Sequence, residues 1–93
     1  MRIVVPLAPT SANKKPSKRF LNALGDVQFP DGDLRVDIVV FTTRRSGDVD
    51  NIIKPVLNAL EARGLDQHKV VYITARFILF DTEKTVIDIS KWR

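Results

Sequence analysis

The sequence predicts an α+β domain in which a small mixed β-sheet packs against one main helix and a short N-terminal helix. Three observations predict it. Leu34, Val36, Ile38 and Val40 alternate with Arg35, Asp37, Val39 and Phe41, the period-two pattern of a strand with one buried face. From Asp48 the apolar spacing becomes helical: Ile53, Val56, Leu57 and Leu60 share a stripe, with Asp50, Lys54 and Glu61 on the other side. Past Gly64 and a polar stretch, a β-rich run covers 70–80, and the turn Asp81-Thr82-Glu83-Lys84 leads into a last strand over 85–92. Those two strands are expected to pair as an antiparallel hairpin.

The remaining elements follow in order. Residues 2–7 form a β-branched run closed by Pro6 and Pro9, an opening strand that enters a polar loop. Residues 10–19 carry Lys14, Lys15, Lys18 and Arg19 and are too polar for the core. Ser17 can cap a short helix whose Phe20, Leu21 and Leu24 sit at helical spacing before Gly25 ends it. Pro55 removes a backbone donor and crowds the preceding turn, which is tolerable only near a helix start. The main helix is therefore expected to begin near Asp50 and to stop at Gly64.

At 93 residues the chain suffices for a single domain, 1–93, and for no more. Hydrophobic residues at 44% and charged residues at 28% are globular values, which argues against disorder or a coiled coil. No apolar run is long enough to cross a membrane, and nothing suggests export, so a soluble cytoplasmic protein is expected. The absence of cysteine excludes a disulfide framework, a cysteine zinc finger and a thiol nucleophile. The net charge of +4 favours a polyanionic partner.

The segment Arg44-Arg45-Ser46-Gly47-Asp48-Val49-Asp50-Asn51-Ile52-Ile53-Lys54 places two acids, an amide and a lysine at a helix entrance. Asp48 or Asp50 could cap the helix, and Lys54 could pair with Asp50 one turn away. One helix end needs one cap, however, and a second carboxylate two positions away adds repulsion that a cation would relieve. Two carboxylates helped by an amide oxygen are the hard donors that Mg²⁺ or Mn²⁺ takes, with water and phosphate oxygens completing the shell. Lys54 and the free amides of the helix start would meet the same phosphate. These are the components of metal-assisted phosphodiester cleavage. An EF-hand is excluded, because its glycine and glutamate places hold Ile53 and Ala59. His68, without cysteines, makes neither a zinc site nor a triad and reads as an exposed loop residue.

The run Gly47-Asp48-Val49-Asp50-Asn51-Ile52-Ile53-Lys54-Pro55-Val56-Leu57-Asn58-Ala59-Leu60, with Gly64 and Val70-Val71 behind it, resembles the RusA family of Holliday-junction resolvases. The resemblance covers roughly 44–80. It implies a RusA-like fold and a homodimeric, magnesium-dependent endonuclease that cuts four-way or other branched DNA in a bacterial or phage-infected cell. Asp48 and Asp50 would be metal-binding catalytic residues, Lys54 the catalytic lysine, and Asn51 a supporting residue. The family's third acid, counted back from the Val-Val pair, falls on Gln67; either the neighbouring Asp66 takes that metal-binding role or the third ligand is lost. Lys14, Lys15, Lys18, Arg19, Arg44 and Arg45 would then hold the DNA backbone. Loss of the third acid would leave the alternative, a catalytically degenerate DNA-binding module of the same fold.

Overall fold

The computed structural model of the chain describes residues 1–9, 17–43 and 50–93, and of residues 50 and 51 the backbone alone. Its centre is β2 (Leu34–Thr42), whose alternate side chains Leu34, Val36, Ile38 and Val40 are all buried. β3 (Val70–Leu79) lies parallel to β2 along one side, and β4 (Lys84–Lys91) lies antiparallel along the other. β1 (Arg2–Val5) completes the sheet beyond β4, antiparallel to it, in the order β1-β4-β2-β3. The mixed sheet is thus as expected. Pro6, which has no N–H to donate to a ladder, marks the end of β1.

The expected hairpin does not form, because β2 lies between β3 and β4. The turn at 80–83 instead carries the chain across the end of β2, where the Phe80 N–H donates to the Thr42 carbonyl at 2.9 Å. Burial explains the choice. Thr85, Ile87 and Ile89 are completely enclosed, which a strand outside β3 could not achieve. Sequence adjacency suggests a hairpin, but β4 instead pairs on both sides, with β2 and with β1, and it is there that Thr85, Ile87 and Ile89 are enclosed.

Both helices cover the same face. α1 (Lys18–Leu24) is capped by the Ser17 hydroxyl, which accepts from the Phe20 N–H at 3.1 Å, and ends at Gly25 with φ +66°. α2 (Asp50–Ala62) starts where the Pro55 argument places it and buries Ile52, Pro55, Val56, Ala59 and Leu60. Its buried stripe is therefore rotated from the one expected: Ile53 and Leu57 are only half-buried. Ala59 is completely buried in the core, while Leu57 lies at its margin. Each enclosed Val or Leu contributes roughly 1.5–3 kcal/mol.

The far end of α2 closes by a Schellman turn. The Leu65 N–H donates to the Leu60 carbonyl and the Gly64 N–H to the Glu61 carbonyl, each at 3.0 Å. Gly64, at φ +106°, supplies the backbone shape, and buried Leu60 and Leu65 join the same core. Ten residues of β3 paralleling β2 with α2 between them make one crossover unit, which fixes direction: α2 runs opposite to β2.

Candidate functional site

That direction decides which candidate residues can meet. The turn that closes α2, formed by Arg63, Gly64 and Leu65, shares a cavity of about 370 Å³ with Leu34, so this end lies at the start of β2. The first residue of α2, Asp50, therefore lies at the other end, beside the close of β2. Thr42 and Phe80 are there, and so is Lys84, which stands opposite Phe41. Leu7, Pro9, Ser17, Arg19 and Glu83 line a second cavity of about 350 Å³, and the Thr85 hydroxyl donates to the Leu7 carbonyl at 2.7 Å. The start of α1 is thus at this end too. The described residues that flank 10–16 and 44–49 all emerge from one end of the sheet.

Lys54 is exposed, one helical turn from Asp50, and within the described residues it has no carboxylate partner. Lys18 and Arg19 are exposed in the first turn of α1. Lys14, Lys15, Arg44, Arg45 and Asp48 lie outside the described residues, as does the side chain of Asp50. Pro55, the sixth residue of α2, lacks the N–H that would have bonded the Asn51 carbonyl, so the opening turn keeps a backbone oxygen without its helical donor.

Asp66 is elsewhere. It follows the C-terminal end of α2, and the rise of the helix alone separates Asp50 from Ala62 by about 18 Å. Its carboxylate accepts from the His68 N–H at 3.0 Å and caps a short 3-10 turn, Gln67–Lys69. Gln67, at the family's third-acid place, donates from its amide to Asn58 Oδ1 of α2 at 3.3 Å. Within one chain Asp66 therefore does not join Asp50, because the crossover carries the two residues to opposite ends of the sheet. Among the described residues no three His, Cys, Asp or Glu side chains come together as a metal-holding group. His68 is exposed, as the sequence reading has it.

The sequence reading passed over two acids at the Asp50 end, Asp81 and Glu83 in the β3-to-β4 turn. Only the strand order brings that turn across the close of β2, so no local pattern signals it. It also passed over the sheet face that the helices leave uncovered. There Arg35 lies over the Tyr72 ring at 4.8 Å and Tyr72 stacks on Trp92 at 5.4 Å. At the other end Lys84 sits 4.7 Å from the centre of Phe41, whose edge meets Phe80. The available signal was the alternation in β2 and β3, which puts Arg35, Phe41 and Tyr72 opposite the buried set.

Comparison with models of known protein families and with curated proteins finds no match to this sequence.

Proposed function

We propose that the protein is a magnesium-dependent endonuclease of the RusA type, acting on four-way or otherwise branched DNA. The observation that supports this reading is that the described residues flanking 10–16 and 44–49, together with the first turn of α2, lie at one end of the sheet. Asp48 precedes Asp50 by two residues, so chain length keeps the two Cα atoms within about 7 Å. Lys54 stands on the next turn, exposed, and Lys18 and Arg19 open the neighbouring helix.

The donor set fits the ion: two carboxylates and the Asn51 amide are hard oxygen donors that Mg²⁺ accepts alongside retained waters. When bound, the cation supplies a Lewis acid that activates water and offsets charge on the leaving oxygen. The chain's own groups do the rest. Asp48 and Asp50 hold the charge balance of the site, and Lys54 neutralises a phosphate oxygen. The basic residues Lys14, Lys15, Lys18, Arg19, Arg44 and Arg45 position the backbone. A homodimer would present two such ends to the two strands of a junction.

The test is incubation of purified protein with a labelled four-way junction and Mg²⁺ or Mn²⁺, with Asp50→Asn as the control. Nicking by the wild type that disappears in the variant supports the reading; undiminished nicking by the variant ends it. The position of Asp66 favours one alternative, a DNA-binding module of the same fold that has lost cleavage. That protein would bind the junction in either the presence or absence of Mg²⁺ and leave it intact.

A further inference from the structure

The helices cover one face of the sheet, and the opposite face carries a pattern that the cleavage site does not use. Its strand positions hold Arg2, Arg35, Arg76 and Lys84 against Asp37 and Asp88. Both acids are already paired, Asp88 with Arg2 at 2.8 Å and Asp37 with Arg35 at 2.9 Å. Among the described residues Lys84 and Arg76 have no carboxylate partner, so the face is net cationic.

Aromatic rings stand at both ends of this face, each group with a cation. Trp92 is 42% exposed and Tyr72 41% exposed at one end; Phe80 is 48% exposed at the other. Each of these three aromatic residues is therefore left partly in water. Arg35 and Phe41 are six positions apart along β2, roughly 20 Å, the scale of a site for about four nucleotides.

We infer that this open face is a stacking platform for single-stranded DNA, with bases received on Trp92 and Phe80 and phosphates met by Arg76, Lys84 and Arg35. Bases of a duplex already stack on one another, so partly exposed rings favour a strand whose bases are unpaired. Charge disfavours a second copy of this chain as the occupant, because pairing the face with itself sets one net-positive surface against another, whereas a strand carries the opposite charge. The platform rests on the rings and charges of this face alone; the choice of DNA over RNA rests on the nuclease reading.

Trp92 is the chain's single tryptophan, so its fluorescence reports directly on the platform. Wild-type protein titrated with a twelve-residue oligothymidylate should show saturable quenching, which inorganic polyphosphate and a blunt duplex of equal length should not reproduce. Phe80→Ala and Tyr72→Ala should each weaken binding roughly tenfold. Phe80→Leu, which keeps apolar volume and loses the ring, should weaken it nearly as much as Phe80→Ala. Circular dichroism would verify that the variants remain folded. Absence of quenching, equal quenching by polyphosphate, or unchanged affinity in Phe80→Leu would overturn the inference. So would a wild-type dimer that these substitutions dissociate, since the occupant would then be a second copy. Tighter binding of oligouridylate would overturn the assignment to DNA. Strand binding without junction nicking would leave the platform standing and remove the nuclease reading; nicking without quenching would do the reverse.

Discussion

The two ends of α2 each carry acids, and they differ in what those acids have to do. At the Ala62 end Gly64 and Leu65 satisfy the last carbonyls, and the Arg63 Nη2 donates to the Leu21 carbonyl of α1 at 2.8 Å, while its Nε is buried without a partner. Asp66 caps the turn that follows, and Gln67 reaches back to Asn58. At the Asp50 end the helix opens with an acid and an amide, carries an early proline and exposes Lys54. An acid with a structural partner is explained by folding. The cation site proposed for the other end rests on Asp48 and Asp50 standing two positions apart in sequence, so position relative to the fold sets Asp66 apart from them.

The sharpest way to break this comparison is to neutralise one acid at each end. Asp50→Asn should lower junction nicking on the order of a hundredfold or more, the scale of losing one charge-stabilising group from a transition state. Asp66→Ala should leave nicking unchanged and cost about 1 kcal/mol in urea unfolding, the usual loss of a capping side chain. If Asp66→Ala also abolishes nicking, the residue must reach the ion from a second copy of the chain. Mixing the two inactive variants would then restore cleavage, because one mixed site would be whole.

Stability should show the opposite polarity. Leu60→Ala removes a completely buried side chain of the closing end and should cost about 2–5 kcal/mol by denaturant midpoint. Gly64→Ala meets no atom within 4 Å, but it forces a Cβ onto a backbone at φ +106° and should cost about 1–2 kcal/mol. Lys54→Ala at the opening end should leave the denaturant midpoint in place while reducing nicking. Equal stability losses at both ends would erase the distinction between a folding end and a chemical end.

What could be read in advance follows the range of the interaction. The Ser17 cap, the Gly25 and Gly64 stops, the start of α2 at Asp50 and the alternation of β2 rest on contacts within a few residues, and all are present. The partner of β4 depends on which strand of the whole sheet most needs enclosure, and adjacency in sequence pointed to β3 instead. The buried stripe of α2 runs through Ile52, Val56, Ala59 and Leu60, because which helix face is enclosed is set by how the helix seats on the rest of the core. The separation of Asp66 from Asp50 within one chain has the same nonlocal origin: a parallel crossover sends the two ends of a helix to opposite ends of the sheet. The rings of the open face share a surface only because β2, β3 and the residues after β4 lie side by side.

Asp37 provides the smallest test, because it lies midway along β2 on the open face and belongs to neither end of α2. The Thr74 hydroxyl donates to its carboxylate and holds its pKa below the usual carboxylate range, with Arg35 adding to the effect and partial burial opposing it. The sign follows from linkage. A carboxyl that is more acidic in the folded state stabilises that state above the unfolded pKa of about 3.9, and the contribution fades as pH falls through the folded value. Asp37→Asn should therefore show a shallower decline in melting temperature than the wild type as pH is lowered through and below that range. The side chain keeps 27% of its exposure, so solvent limits the difference to a small one. Identical slopes in the two proteins would mean that Thr74 and Arg35 hold Asp37 no better than water does. A shift in nicking rate at neutral pH would mean that the open face and the Asp50 end are coupled through β2, which the separation of the two ends of α2 does not anticipate.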